Sequence, residues 1–417
     1  MSQQQAVPKP SLQGVRIRAR KGAVKAHAKH EPTVFKDQLY KYLETVPQGD
    51  FDAVANKLLQ AGSTLELLKY SDALFEVLIV GGLLQPGGSY LDEDGPTSPF
   101  SLFQAKEPPQ VDDIKKYVEV FTKLIRRCVM CSASPIVTLR TSTSQKPLEE
   151  GSLPTLLQYV SRWEEPQKEK FAIAAGLLIA QGFANAACLQ SLTKDHLVKN
   201  DVSVSVLTMI LRAYLTEQSM DHLAGALKRA GIKDLLAFFP PNRRDDKILD
   251  EHFRKEGLPQ IAEWWTKKQN ALIRDEIVKS VHDMLDREDA PDDIISSVKS
   301  IVEEKPLPES ELITCLWQGL MSSVDWSARA DQIEGLALRE VTKYAPILEP
   351  FCTSAKTEVA LINTVQVYCY EDTRIMKAFP QILKKGSKPQ GRQHFLKSTE
   401  ALVKFLQEQV EESDEEE

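Results

Sequence analysis

Apolar residues recur at helical spacing along nearly the whole chain, and this periodicity constrains the fold more than any other feature of the sequence. The stretch Leu361–Lys385 shows the pattern, since its two apolar runs place side chains three and four positions apart. Short stops rich in Gly and Pro, such as Pro86-Gly87-Gly88, separate one run from the next. No convincing stretch alternates apolar and polar residues as a half-buried strand does. The sequence therefore predicts an all-α protein.

The length of the chain predicts more than one domain, because 417 residues exceed what a single hydrophobic core usually supports. Helix pairs joined by short turns are typical of HEAT-like α-solenoids. We expect one such helical domain over residues 33–242 and a second over residues 243–407, with the boundary after the double-proline stop Phe238–Asn242. A basic arm, 1–32, and an acidic tail, 408–417, flank them. The polar composition of the arm predicts disorder.

Capping and stop signals predict individual helices. Asp50 is a predicted N-cap for a helix that starts at Phe51. The next helix is predicted over Leu65–Leu84, and shorter helices over Asn185–Leu192 and Lys233–Phe239. In the second half the predicted helices include Lys247–Glu256, Pro259–Arg287, Asp292–Glu303 and Glu309–Ser323.

The segment Cys128–Pro154 interrupts this pattern, because it lacks a helical period and is dense in Ser, Thr and Pro. We interpret it as an irregular surface insertion or a replaced helix. The spacing of Cys128 and Cys131 matches half of a zinc site, but no second such pair and no close pair of histidines accompanies it. We therefore expect no metal.

The motifs of the common enzyme classes are missing from the sequence. It contains no P-loop, no GxSxG and no HExxH, and its seven histidines are scattered, so we expect no catalytic residues and no cofactor. No apolar run approaches the roughly 18 residues of a membrane span, and the first residues lack an apolar signal core. The six scattered cysteines suit reduced thiols. These features predict a cytoplasmic protein without enzymatic activity.

The net charge of −7 conceals two oppositely charged ends. Lys9–Lys29 holds seven Lys or Arg and no acid, whereas Glu408–Glu417 holds seven acids and no base. A basic arm suits nucleic acid or acidic proteins, and an acidic tail suits basic partners. A role in solubility alone is the alternative for both ends.

An aromatic and acidic segment before the charged end has the clearest binding chemistry. Its carboxylates attract the ammonium groups of lysines, while its tyrosine rings hold the alkyl stems and add cation–π energy of about 0.5–2 kcal/mol each. We therefore expect a docking surface for Lys-rich segments of partner proteins. Its predicted members are Tyr368, Tyr370, Glu371, Asp372, Glu408, Glu411, Glu412, Asp414, Glu415, Glu416 and Glu417.

Several motifs resemble one protein family. HFRKEGLPQIAEWW (His252–Trp265), ELITCLWQGLMSSVDW (Glu311–Trp326) and VQVYCYEDTRIMKAFPQI (Val365–Ile382) are similar to the W-two domain shared by initiation factor five and its relatives. PTVFKDQLYKYLE (Pro32–Glu44) and the helices after it resemble the initiation-factor-five mimic proteins. That family is also called the basic leucine zipper and W-two domain proteins, although no sustained heptad pattern supports a zipper here.

The resemblance implies a non-enzymatic regulator of translation initiation. Its first domain would be HEAT-like, similar to the middle domain of initiation factor four G. Such proteins bind initiation factor two, through Lys-rich segments of its beta subunit, and initiation factor three. They compete with initiation factor five and so modulate preinitiation complex assembly and start-codon selection. On the family pattern, Tyr368–Asp372 matches the first half of the docking region and the acidic tail matches its end.

Two segments depart from the family pattern. Cys128–Pro154 stands where the family has a Tyr-rich helix followed by another apolar helix. After Ile382 the family has a further helix with an aromatic run, whereas Leu383–Gly386 here leads directly into SKPQGRQHFLK. A helical array that lacks one helix leaves neighbouring apolar faces uncovered, so we expect reduced stability there.

A different class of function stays open. A nucleic-acid-associated or transcriptional regulator would act through the basic arm, with Arg16, Arg18, Arg20 and Lys21 on phosphates, and a weak RNA or ribosome contact would use the same residues. A nucleotide-exchange enzyme like the epsilon subunit of initiation factor two B is disfavoured, because no sugar-nucleotide-like or β-helix region is present.

Overall fold

A computed structural model describes residues 30–132, 151–322 and 339–364, apart from gaps at 63, 68, 94, 341–342, 355, 358 and 362. The chain divides into two compact units, Met1–Asp245 and Asp246–Glu417. Within the described ranges the regular structure is helical, and the one β-type pairing is an isolated bridge between Leu84 and Tyr90. The prediction of an all-α protein is confirmed.

The described helices of the first unit follow one another in chain order, with a long loop between the third and the fourth. They are α1 Pro32–Leu43, α2 Phe51–Ala61, α3 Ser71–Val80, α4 Val111–Ser132, α5 Leu153–Tyr159, α6 Glu165–Ala180, α7 Asp195–Val198, α8 Val202–Glu217 and α9 Met220–Arg229. Short 3₁₀ turns lie at Leu102–Gln104, Val160–Arg162, Ala186–Thr193, Leu236–Phe238 and Pro241–Arg243.

Helix α6 lies in the centre of the first unit. Every residue from Lys170 to Ala180 is buried, because this stretch is apolar on all sides and packs against α4 and α8. Gly176 faces α8 so closely that an added Cβ would lie 2.4 Å from the carbonyl oxygen of Ile210. The two helices therefore cross nearly backbone to backbone.

A buried lysine ties the long loop after α3 to this central helix. Lys170 Nζ donates to the carbonyl oxygen of Phe103 and to Glu107 Oε1, each over 2.9 Å. The lysine side chain is 2% exposed while that of Glu107 is 60% exposed. The ammonium is therefore buried with both of its partners supplied by the loop.

The second unit contains α10 Asp246–Lys255, α11 Pro259–Asp286, α12 Pro291–Glu304 and α13 Glu309–Ser322, followed by helical residues 343–348 and a 3₁₀ turn at Glu349–Phe351. The first half of α11 packs on α10, where Trp265 Nε1 donates to Asp246 Oδ1 over 2.7 Å. Its second half joins the core of α12 and α13, which includes Ile277, Val281 and Leu316. The four helices predicted here agree with the structure to within one residue at each end.

The N-cap prediction is confirmed, since Asp50 Oδ1 accepts from the backbone N–H of Ala53 over 2.9 Å. The helix predicted over Leu65–Leu84 is shorter, because it starts at Ser71 and ends at Val80. Gly81 adopts φ +91°, a left-handed conformation that stops the helix although apolar residues continue after it. The apolar run to Leu84 therefore follows the helix instead of extending it.

Two further predictions need correction. The irregular segment Cys128–Pro154 is helical at both ends, since α4 continues through Ser132 and α5 begins at Leu153. No Pro or Gly follows Cys128 before Pro135, so nothing local ends α4 earlier. The helix predicted near 185–192 is a 3₁₀ helix over Ala186–Thr193, and the one predicted near 233–239 is reduced to a 3₁₀ turn at Leu236–Phe238. Short segments between packed helices gain little from a full α-helical turn.

Candidate partner-binding surface

The predicted docking residues lie outside the part of the chain that the structure describes. Its last described residue is Thr364, four positions before the first of them. The docking surface therefore stays a prediction, and the structure shows the frame that precedes it. The residues concerned are Tyr368, Tyr370, Glu371, Asp372, Glu408, Glu411, Glu412, Asp414, Glu415, Glu416 and Glu417.

The helical residues between 356 and 364 lead toward this segment, and hydrogen bonds connect them to α13. Just before these helical residues, Ser354 Oγ donates to Glu309 Oε2 over 3.2 Å. At the last described of these residues, Thr364 Oγ1 lies 2.9 Å from Thr314 Oγ1. Two separate contacts thus hold the start and the end of the described segment against one helix.

A reciprocal cap begins this helical segment. The backbone N–H of Ser354 donates to Thr357 Oγ1 over 3.1 Å, and the N–H of Thr357 donates to Ser354 Oγ over 3.3 Å. Thr357 is fully buried, and Ala360 and Leu361 pack against the apolar core of the second unit. Burial and capping therefore both hold the start of this helical segment against the core.

An acidic turn, defined as residues 283–293 from the last residues of α11 to the first of α12, adds carboxylates to the described part of the second unit. Six of its eleven residues are Asp or Glu, and its one base, Arg287, donates to Asp289 over 3.0 Å. The other five acids are exposed. Sequence reasoning missed this cluster because it considered charge only at the chain ends. A count of acids in a sliding window would have found it.

Net charge differs in sign between the two units. From Asp246 to Glu417 there are 33 Asp and Glu against 22 Lys and Arg, a net charge of −11. From Met1 to Asp245 there are 26 Asp and Glu against 30 Lys and Arg, a net charge of +4. The second unit therefore attracts basic partners over distances comparable to the screening length.

The described residues offer little for covalent or metal chemistry. Among them, no group of three or more His, Cys, Asp or Glu side chains is placed to hold a metal ion. Burial raises the pKa of the Cys315 thiol to about 12, which keeps it protonated and unreactive near neutral pH. In the same part of the chain, no helix is long and apolar enough to cross a membrane.

Comparison with known proteins identifies the family. The family model described as the 5MP1/2 HEAT domain matches residues 17–275. eIF5-mimic protein 1 of Homo sapiens is 30% identical over 432 residues, which cover 98% of this chain and 98% of that protein. eIF5-mimic protein 1 of Gallus gallus is 32% identical over 381 residues, and eIF5-mimic protein 2 of Pongo abelii 30% over 376. Each of these two alignments covers 90% of this chain. They cover 87% of the Gallus gallus protein and 85% of the Pongo abelii protein.

The chain belongs to the eIF5-mimic family. This confirms the resemblance drawn from the sequence motifs and makes the chain a translation-related regulator. The match to the HEAT-domain model of the family begins in the basic arm and ends inside α11. It therefore extends past Asp245 into the second unit. The alignment with the human eIF5-mimic protein spans 432 positions and this chain has 417 residues, so at least 15 aligned positions have no counterpart here.

Proposed function

We propose that this chain is a cytoplasmic, non-enzymatic regulator that mimics initiation factor five, binds initiation factors two and three, and modulates preinitiation complex assembly and start-codon selection. Its membership in the eIF5-mimic family carries this proposal. Competition is the mechanism: a protein that occupies the partners of initiation factor five without supplying its catalytic activity reduces the supply of productive complexes.

The charge of the second unit supports a basic partner. A net charge of −11 favours the Lys-rich segments of the beta subunit of initiation factor two. Electrostatic attraction of this kind raises the association rate more than it lengthens the lifetime of the complex, and it weakens as salt is added. The proposed complex therefore forms quickly and is sensitive to ionic strength.

The docking residues we propose are Tyr368, Tyr370, Glu371 and Asp372, together with the acidic tail that begins at Glu408. They follow in sequence the capped helical segment that is held on α13 and whose last described residue is Thr364. A segment anchored in this way loses less conformational freedom on binding than a free tail does. We therefore propose that the aromatic residues, which are close in sequence to the anchored segment, provide affinity and that the tail mainly provides attraction.

The experiment is a titration of the full chain into a fluorescent Lys-rich peptide at low and at physiological salt. Reversal of Glu371 and Asp372 to lysine should weaken binding at least tenfold at low salt. The matched control reverses Asp292 and Asp293 of the acidic turn, which changes net charge equally and should weaken binding less than threefold. Failure of the unmodified chain to bind at low salt would overturn the function. Equal losses in both variants would leave only long-range attraction and would reject the docking residues.

The same titration with single-stranded RNA tests the nucleic-acid alternative. RNA affinity that falls when Arg16, Arg18, Arg20 and Lys21 are replaced by glutamine, while peptide binding is absent, would favour a regulator acting through the basic arm. The proposed function expects peptide binding to be unaffected by these four replacements.

A further inference from the structure

A small acidic cleft lies in the first unit between α1 and residues 81–97. Its volume is about 70 Å³, several times the roughly 10–15 Å³ that one water requires. It is far below the roughly 300–1,000 Å³ of sites that hold a cofactor or a drug-sized ligand. The cleft therefore has room for the end of one side chain.

Negative charge exceeds positive charge along this cleft. Asp92 and Glu93 line it and are exposed, whereas Lys36 is the one base among its described lining residues. The ammonium of Lys36 already has partners, since it lies 3.5 Å from Asp92 Oδ2 and 5.8 Å from the centre of the Tyr40 ring. Within the described ranges, no salt bridge or side-chain hydrogen bond uses the carboxylate of Glu93. The cleft therefore offers one carboxylate to a further cation.

An exposed apolar side chain adjoins these carboxylates. Leu91 lines the cleft and is 45% exposed. Lys and Arg carry an apolar stem behind their charge, and such a stem packs on apolar surface while the charged end stays beside a carboxylate. Leu91 and Glu93 offer both contacts within three consecutive residues. A basic side chain therefore fits this cleft better than a small inorganic cation does.

The chain itself supplies basic side chains close to the cleft. The arm segment Lys9–Lys29 holds seven Lys or Arg and no acid, and it ends three residues before α1 begins at Pro32. Lys36, which lines the cleft, lies about 6 Å further along the helix axis. The seven residues from Lys25 to Pro32 can span about 23 Å when extended. Lys25 can therefore reach the cleft, and a tether this short keeps its local concentration high.

The family match adds an observation that is independent of charge. The model of the 5MP1/2 HEAT domain matches from residue 17 onward, 15 residues before α1 begins. The second half of the basic arm therefore belongs to the sequence pattern of this domain, which indicates a role within the domain. Residues 17–29 hold five of the seven bases, namely Arg18, Arg20, Lys21, Lys25 and Lys29. Charge, reach and the family pattern thus point to the same segment.

We propose that residues 17–29 dock on this cleft within the same chain, with the ammonium of Lys25 beside Glu93 and its stem on Leu91. A docked arm cannot present all of its bases to phosphates, so docking and nucleic-acid binding compete. The cleft is thereby a regulatory contact that holds the basic arm away from nucleic acid. This role is separate from the proposed binding of initiation factors by the second unit.

Acetylation of lysines in the full chain tests the docking, because an ammonium held beside a carboxylate loses its proton less readily and so reacts more slowly. Mass spectrometry compares Lys25 and the other lysines of residues 17–29 with Lys9, the reference outside the docked segment. Glu93→Lys reverses the charge of the cleft. Glu119→Lys, at an exposed acid of α4, changes the net charge equally and is the matched control. Circular dichroism confirms that each variant is folded.

At low salt, Lys25 should react at least threefold more slowly than Lys9. Glu93→Lys should remove this difference and Glu119→Lys should retain it. Salt at about 1 M should also remove it, because screening weakens an exposed ion pair. In a titration with single-stranded RNA, Glu93→Lys should bind at least threefold more tightly than Glu119→Lys, although both variants carry the same net charge.

A carbodiimide, which joins an amine to a carboxylate in contact with it, identifies the occupant. A link between residues 17–29 and Glu93 within one chain supports the proposal, whereas links found only in cross-linked dimers would assign the cleft to the arm of a second copy and reject docking within the chain. Equal reactivity of Lys25 and Lys9 in the unmodified chain, or slow reaction of Lys25 that persists in folded Glu93→Lys, would overturn the docking. Equal RNA affinity of the two variants would reject the regulatory role.

Discussion

Replacement of Gly176 by alanine tests the backbone-to-backbone crossing of α6 and α8. An ideal Cβ at this position lies 2.4 Å from the carbonyl oxygen of Ile210, 2.9 Å from the Cβ of Ala213 and 3.2 Å from the backbone nitrogen of Tyr214. The closest of these atoms is backbone and cannot rotate away as a side chain does. The first contact is roughly an ångström short of van der Waals separation, so α8 must move as a unit.

Two opposing effects set the change in unfolding free energy of the Gly176→Ala variant. Overpacking a close-packed core costs about 1–3 kcal/mol, and the backbone contact at Ile210 places Gly176→Ala near the upper end of that range. Alanine is favoured over glycine inside a helix by about 1 kcal/mol. The first effect exceeds the second, so we expect the variant to lose about 2 kcal/mol of unfolding free energy.

Hydrogen–deuterium exchange of the α6 and α8 amides is the appropriate assay, because it reports on the first unit alone. A loss of about 2 kcal/mol corresponds to exchange about 30-fold faster in these helices. Gly225→Ala in α9 is the matched control. The nearest atom to its added Cβ is Nη1 of Arg229, 3.3 Å away, at the end of a side chain that can move.

Gly225→Ala should therefore slow exchange in α9, since only the gain in helix propensity remains. If Gly176→Ala leaves exchange in α6 and α8 unchanged or slows it, the two helices are not in the contact described here.

Four further substitutions test other parts of the first unit. In urea unfolding, Glu107→Ala should lower the unfolding free energy by about 2–3 kcal/mol, because it leaves the Lys170 side chain, 2% exposed, without its carboxylate. Lys170→Met should lower it by about 1 kcal/mol, because it leaves only a carboxylate that is 60% exposed. A larger loss for Lys170→Met than for Glu107→Ala would contradict the burial of the lysine. Burial raises the pKa of Tyr40 from 10.0 to about 12, so between these pH values the native state keeps a proton that the unfolded state loses. The contribution of this proton to the unfolding free energy is complete below pH 10 and is lost as the pH rises to 12. Unfolding of Tyr40→Phe between pH 9 and 12 should show a shallower decline, and an equal slope would argue against the shift. Asp50→Ala should cost about 1 kcal/mol and speed amide exchange in the first turn of α2, whereas unchanged exchange there would show that the cap bond is not formed.

Local signals explain which parts of the fold were predictable. Pro259 and Pro291 each sit in the first turn of a helix, and their fixed φ marks that start in the sequence itself. The end of α3 was misplaced because the apolar run continues past Gly81, and periodicity gave more weight to that run than to the glycine. Residues 186–193 have an apolar content that suits an α-helix, but packing between neighbouring helices leaves them as a 3₁₀ helix.

The candidate sites divide in the same way. The aromatic and acidic segment at Tyr368–Asp372 was found from composition and family resemblance, and it remains a prediction because it lies outside the described residues. The acidic turn at 283–293 was available to a simple count of charges.

The sequence by itself determined the helical class, the family and the opposite charges of the two ends, since each depends on residue type and on spacing within a few positions. Only the tertiary structure decided that Gly176 must lack a side chain and that Lys170 is buried beside a loop carboxylate. These features depend on which distant segments pack together, and close packing decides that through contacts that no local pattern encodes.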